Sequence, residues 1–272
     1  MFQSIKAALA KNEDAGNNTY TEILKTTPGN TYTVRLLPYA QDPSKTFFHY
    51  YTHGWVSFAN GQYVQALSPS TFGERDPIAE ERFRILRTGS EEEKEKVTAI
   101  KRAEKFLVNV YVIDDPTNSD NNGKVKLLRY GKQLHKIIME AIEGEDAEEF
   151  GPRIFDLGPN GVSFKIKVEN QGEYPTYVSS RFTSAGKLNL TDDEQEKIYK
   201  GVFDLSKVFT LKSYDELKTM LDEHFHLAQS SAKVEEQPQR RAVEQTTWTE
   251  PVKTTSDSSS IDDEIDELLK DL

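Results

Sequence analysis

Between residues 31 and 168 one pattern recurs: a short run of β-branched and aromatic residues, closed by a turn signal. Tyr32-Thr33-Val34-Arg35-Leu36-Leu37 stops at Pro38, and Phe47-Phe48-His49-Tyr50-Tyr51-Thr52 follows it. Trp55-Val56-Ser57-Phe58 and Tyr63-Val64 flank Asn60-Gly61, a hairpin sequence. Residues 106–113 alternate and are rich in Val and Tyr, 114–123 form a polar loop, and 124–130 and 163–168 read as further strands. Helical spacing interrupts them. Residues 77–102 read as helix with a break at Gly89-Ser90, and 131–143 set Leu134, Ile137, Ile138 and Ile142 toward a core. Thr191 with Glu194 and Ser213 with Glu216 are capping boxes that open two more helices. At the N-terminus, Phe2, Ile5 and Leu9 share one face of a short helix over 1–18. The expected class is α+β, predominantly β, an elaborated barrel with inserted helices.

The charge is unevenly spread along this pattern. Of 34 basic and 45 acidic residues, the stretch 230–272 holds 5 and 11, with almost no aliphatic content before Ile261. Such a segment buries too little apolar surface to offset its ordering entropy, so a disordered acidic tail is expected there. The net charge of −11 argues against nucleic acid as a partner. Yet residues 94–136 carry ten basic residues against five acidic. A solvated face explains such a stretch unless other features accompany it. No apolar run approaches the ~20 residues that cross a bilayer and no signal segment is apparent, so a soluble intracellular protein without membrane partners is expected.

Catalytic patterns are missing. There is no cysteine, which removes thiolate nucleophiles and sulfur-bound zinc. His49, His53, His135, His224 and His226 show no metal-binding spacing, and no phosphate-loop or nucleophile-elbow motif occurs. Aromatic residues beside cations suggest different chemistry. A cationic groove follows phosphates while exposed rings stack on bases of single-stranded nucleic acid. Tyr174 and Tyr177 occupy a polar Gly/Pro-containing loop with Arg181 close behind. Tyr130 lies between Arg129 and Lys132, and Phe106 follows Lys101, Arg102 and Lys105.

In this arrangement the chain resembles the single-stranded DNA-binding, helix-destabilising replication proteins of T-even type phages. The matching stretches are collinear: Val34-Arg35-Leu36-Leu37-Pro38; His53-Gly54-Trp55; Asn60-Gly61 with Ser70-Thr71-Phe72-Gly73; 109–116; Gly123-Lys124-Val125 with Arg129-Tyr130-Gly131-Lys132; 164–168; and the tail 261–272. The resemblance implies an OB-fold core over 19–229 with a cationic, aromatic-lined cleft. It also implies an N-terminal arm over 1–18 for self-association along the strand, and an acidic tail over 230–272 for protein partners. The stacking candidates are Phe106, Tyr130, Tyr174 and Tyr177. The phosphate candidates are Lys101, Arg102, Lys105, Lys124, Arg129, Lys132 and Arg181.

The function implied is non-catalytic coating of single-stranded DNA in phage replication, recombination and repair, in the cytoplasm of the infected host. Partners of the polymerase, helicase-loader and recombinase classes would meet the tail. Its Ile261, Ile265, Leu268, Leu269 and Leu272 recur at helical spacing, so the tail can fold into a partner's groove or mimic phosphates in its own cleft.

Three departures qualify the resemblance. The family's zinc subdomain, equivalent to about 53–104, uses one His and three Cys. His53 fits the first, but Ser68, Ile78 and Glu81 stand near the others, so no zinc and no other cofactor is expected. Packing by Phe72, Phe83 and the helix after Pro77 is expected to hold that region. Arg75 and Val97 stand where the family has rings. Gln3-Ser4-Ile5-Lys6 replaces a basic run in the arm, which leaves Phe2, Ile5, Lys6 and Leu9 as the self-association candidates. The alternative is an acidic protein-interaction or chaperone-like module whose basic stretch is only surface.

Overall fold

The computed structural model describes residues 22–226 except Glu173. The expected arm (Phe2, Ile5, Lys6, Leu9) and tail (Ile261, Ile265, Leu268, Leu269, Leu272) lie outside the described residues. The described chain is α+β and built on one mostly antiparallel sheet. Its strands are β1 (Thr31–Leu37), β2 (Phe47–Val56), β3 (Tyr63–Leu67), β4 (Ala103–Asp114), β5 (Val125–Tyr130), β6 (Val162–Lys167) and β9 (Arg181–Ala185). A separate hairpin joins β7 (Glu169–Gln171) to β8 (Tyr174–Thr176). The helices are α1 (Pro77–Thr88), α2 (Glu91–Val97), α3 (Lys132–Glu143), α4 (Asp192–Lys200) and α5 (Tyr214–Leu221).

β4 organises the sheet. Phe106 pairs with His49 on one side and Tyr130 on the other, and Asn109 likewise with Leu37 and Leu127. β2 and β1 therefore lie end to end along one edge of β4, and β5 takes the other. Both faces of β4 are covered. Phe106, Val108, Val110 and Val112 enter one apolar cluster with Val34, Leu134, Ile138 and Phe164. On the opposite face Leu107 packs with Tyr50, Leu127, Leu205 and Val208. Between them the Asn109 side chain donates to the Phe203 carbonyl and accepts from the Phe203 amide, both at 2.9 Å, pinning the chain after α4.

The sheet stays open among the described residues. Its order is β3-β2-β4-β1-β6-β9 with β5 on β4, and no ladder links the free ends into a closed barrel. The outer edge of β5 is instead covered by residues 22–24: Leu127 N–H donates to Glu22 O (2.9 Å) and Leu24 N–H to Leu127 O (2.8 Å). An edge covered in this way neither closes nor invites foreign strands.

Local signals explain the boundaries. Both expected capping boxes form, at Thr191 and Ser213, and a third opens α2 at Ser90. The helical reading over 77–102 divides into α1, α2 and a 3-10 turn, after which β4 begins three residues before Phe106. The expected strand 55–58 is different: β2 runs unbroken to Val56, and 57–62 form the turn, with Gly61 at φ +72°. The expected loop at Tyr174 is partly strand.

A second apolar cluster, Trp55, Ile78, Ile85, Val97, Ile100, Leu217, Leu221 and Phe225, holds α1, α2 and α5 against the β2–β3 hairpin. This corrects the expectation for Phe72 and Phe83, which are exposed to 49% and 38%. Val97 is core here rather than a substitute for a ring. Arg75 donates to Glu80 and lies 5.1 Å above Tyr214, tying the start of α1 to α5.

Candidate nucleic-acid interface

β5 ends at Tyr130, Gly131 follows, and α3 begins at Lys132, where among the described residues no side chain caps the first turn. The free amides and positive end of such a helix favour an anion. Residues 23–26 run beside β5 on one flank. The end of the β7–β8 hairpin reaches in from the other, where Tyr177 N–H donates to Gln133 Oε1 at 3.0 Å. The Tyr177 and Thr26 hydroxyls share a hydrogen bond of 3.2 Å. Between these flanks lies a groove of about 520 Å³. Lys25, Lys105, Arg129 and Lys132 line it with Tyr130 and Tyr177, and among the described residues no carboxylate is in the lining.

The groove is electrostatically incomplete. Burial, and then the neighbouring Arg129, hold the Lys105 ammonium below the usual lysine pKa. Among the described residues neither Lys105 nor Arg129 pairs with a carboxylate. An anion seated between them relieves both costs at once, the repulsion and the lost hydration.

Stacked rings adjoin the cations. His49, Phe106 and Tyr130 are direct neighbours across β2, β4 and β5, so their side chains rise from one face. The Phe106 ring lies 4.8 Å from His49 and 5.6 Å from Tyr130, near parallel to both. His135, from α3, stacks on Phe106 at 3.7 Å and 7°. Burial, then His49, lower the His135 pKa against an opposing pull from Glu104. Burial also pushes the Tyr130 phenol up, and its hydroxyl has no hydrogen-bond partner among the described residues.

This arrangement corrects the reading of Phe106 and Tyr130 as exposed stacking rings. They are only 5% and 4% exposed, because α3 packs over that face through Leu134, Ile138 and His135. Tyr130 reaches the groove lining, and Phe106 packs against it outside that lining.

Other expected residues are dispersed. Tyr174 is 75% exposed at the hairpin turn, next to Pro175 in the groove wall. Arg102 lies 4.2 Å above the Tyr51 ring and donates to Ser70 Oγ at 3.0 Å. Tyr51 in turn meets His49 edge-on at 4.9 Å, so Arg102 adjoins the ring stack, outside the groove lining. Lys101 precedes it, half-buried after the 3-10 turn. Lys124 sits at the other end of β5, about 20 Å from Tyr130 at strand rise. Arg181 is exposed on β9 opposite Lys165, away from the groove lining. Sequence reading missed Lys25, His49, Glu104, Gln133 and His135. The only signal for them was chain distance to cations, which does not report sheet register.

The positions compared with a zinc site form a different assembly. His53 is fully buried, with Nδ1 on the Ile100 carbonyl (2.9 Å) and Nε2 on Asp76 Oδ2 (2.8 Å). Ser68 donates to the same Asp76 oxygen. Asp76 Oδ1 accepts the amides of Ile78 and Ala79, capping α1. Ile78 is core, and Glu81 pairs with Arg84. The serine meets the aspartate rather than the histidine and all three are buried, so the trio is no hydrolytic relay.

Burial pushes the Asp76 carboxyl up, but the bond and charge of His53, Ser68 and the Ala79 amide outweigh it, and the pKa falls below the usual value. A folded pKa below the unfolded one means the contribution is complete above about pH 4 and is lost as pH falls through the folded pKa. Asp76→Ala is expected to cost about 3 kcal/mol in urea unfolding at pH 7, roughly 1 from the cap and the rest from unmatched buried donors. The difference from the unmodified chain should shrink as pH drops below about 4.

Among the described residues, a helix start without a side-chain cap, clustered cations and stacked rings thus adjoin on one antiparallel sheet. Residues 29–225 match the family model described as gp32 DNA binding protein like, and the chain belongs to that family. Two similar proteins, each named Single-stranded DNA-binding protein, come from Enterobacteria phage T4 and Enterobacteria phage T2. Each is 26% identical over 193 residues, covering 68% of this chain. The match spans 63% of the length of these curated relatives. Among the described residues no helix is long and apolar enough to cross a membrane.

Proposed function

We propose that this chain is a non-catalytic, sequence-tolerant single-stranded DNA-binding protein of phage replication, recombination and repair. The observation that carries the reading is the groove that, among the described residues, is lined by four cations and no carboxylate beside stacked rings, in a chain of this family. Lys25, Lys105, Arg129 and Lys132 take phosphates, with Lys101, Arg102, Lys124 and Arg181 extending the track. Tyr174 and Tyr177 offer their faces to bases, and Tyr130 lines the groove with Phe106 packed against it. The open sheet is read as an elaborated OB-type core.

The protein acts in the cytoplasm of the infected host. Copies associate through Phe2, Ile5, Lys6 and Leu9, and the acidic tail recruits replication proteins and competes for the groove. It carries no zinc. Supporting this, both His53 nitrogens are engaged by protein groups, Ile78 is apolar, and Glu81 is taken by Arg84.

Fluorescence anisotropy with an oligo-dT strand over a salt series tests the reading. Affinity should fall steeply and log-linearly with salt, as neutralised phosphates release counterions. Tyr174→Ala should weaken binding about tenfold with an unchanged slope, the mark of a lost stack. No binding at low salt would favour the protein-interaction module instead.

A further inference from the structure

Glu104 stands within the cationic surface. It lies on β4 between Ala103 and Lys105, on the same face as Phe106 two residues on. Its Oε2 accepts from Lys132 Nζ at 3.0 Å, and its Oε1 meets His49 Nε2 at 2.7 Å. Burial pushes this carboxyl up, yet Lys132 and His49 more than compensate and hold it below the usual range.

This contact differs from the exposed pairs on α2, such as Lys94 with Glu91 three residues earlier. Those join neighbours on one helix and contribute little. Glu104 gathers groups from two other elements, β2 and α3, and one of them is a cation of the groove wall. Two carboxylate oxygens held by a lysine and an imidazole present the geometry of two phosphate oxygens held the same way.

We infer that Glu104 is a built-in competitor for phosphate: it occupies Lys132 in the free protein and surrenders it when a strand enters the groove. The inference rests on the reading of the groove as a phosphate track. Its consequence is selectivity for length. A strand that also gains Lys25, Lys105 and Arg129 offsets the exchange, whereas a lone phosphate must win Lys132 from a carboxylate already in place. The exchange also mutes salt dependence. When Lys132 moves to a phosphate, Glu104 takes up a solvent cation, which cancels part of the counterion release.

The test is oligo-dT titration of the full chain, Glu104→Gln, Lys132→Gln and the double variant. Glu104→Gln is expected to bind about fivefold tighter at 0.1 M salt, with a slope steeper by about 0.7. Adding Lys132→Gln should remove most of that gain. Affinity and slope equal to the unmodified chain, or a gain that survives Lys132→Gln, would overturn the inference. A second readout needs no substitution. The Glu104 carboxyl 13C resonance should shift as oligo-dT saturates the protein, and a resonance unmoved at saturation also overturns it. If the unmodified chain does not bind at all, the phosphate-track reading itself fails, which is a separate result.

Discussion

Lys25→Gln, Lys105→Gln and Arg129→Gln together are expected to weaken oligo-dT binding about 100-fold at 0.1 M salt and to flatten the salt slope by about 2. The size follows from counterion release. Each phosphate contact on a single strand contributes roughly 0.7 to the slope, which is about fivefold in affinity at 0.1 M, and three contacts multiply. These three residues are chosen because all line the groove and none has a carboxylate partner among the described residues. Lys132, by contrast, meets Glu104. Glutamine retains most of the aliphatic stem, which matters for half-buried Lys105. A normal urea midpoint with intact affinity would move the phosphate track elsewhere.

Arg35→Met is expected to lower unfolding stability by about 3 kcal/mol without first touching the groove. Arg35 is 0% exposed on β1, in the middle of an apolar run. Its Nη1 donates to the carbonyls of Asp156 (2.7 Å) and Gly158 (3.0 Å), and Nη2 donates to the Gly186 carbonyl. One guanidinium thus fastens the loop before β6 to the chain leaving β9. Removing it leaves three carbonyls short of a donor, and hydrogen bonds to a charged group are the more costly ones to lose. Arg35→Lys should recover only part, since one ammonium cannot match three acceptors placed for a planar fork. Gly161 completes the clamp: a Cβ there would overlap the Asp156 carbonyl oxygen and Arg35 Nη1. Gly161→Ala should therefore be destabilising too, and denaturant midpoints of both variants check the account.

Arg35 also shows where sequence reading stops. In sequence it is a cation in a strand, with nothing to separate a surface charge from a buried clamp. Its acceptors lie more than 120 residues away. Elements with local causes were legible. Pro38 closes β1, Asn60-Gly61 turns the β2–β3 hairpin, and two Ser/Thr-to-Glu boxes start helices where they were expected. The short β9 was missed, because Arg181-Phe182-Thr183-Ser184-Ala185 carries little apolar alternation and depends on β6 for pairing.

The candidate site was legible in part for the same reason. Lys105, Arg129, Lys132 and Tyr177 come together in the groove, as cations and rings read from one charged stretch and one loop suggested. Lys25 does not belong to that stretch, and the hydroxyl contact of Thr26 with Tyr177 spans 151 positions. Phe106 and Tyr130 were read as stacking rings, and both are buried. Strand register set them side by side, and packing of α3 then covered them. Glu104 was hidden by its own sequence context: one acidic residue among cations reads as ordinary surface balance until β2 and α3 bring His49 and Lys132 to it.

Lysine footprinting with and without a saturating oligo-dT strand reports which lysines the strand covers. Acetylation rates would be followed by mass spectrometry on the full chain at low salt. Lys25, Lys105 and Lys132 should be strongly protected by the strand, while Lys200 and Lys207, both exposed and outside the groove lining, should react as before. Protection confined to other lysines, with the three groove residues unchanged at saturation, would contradict the assignment of this groove as the path of single-stranded DNA.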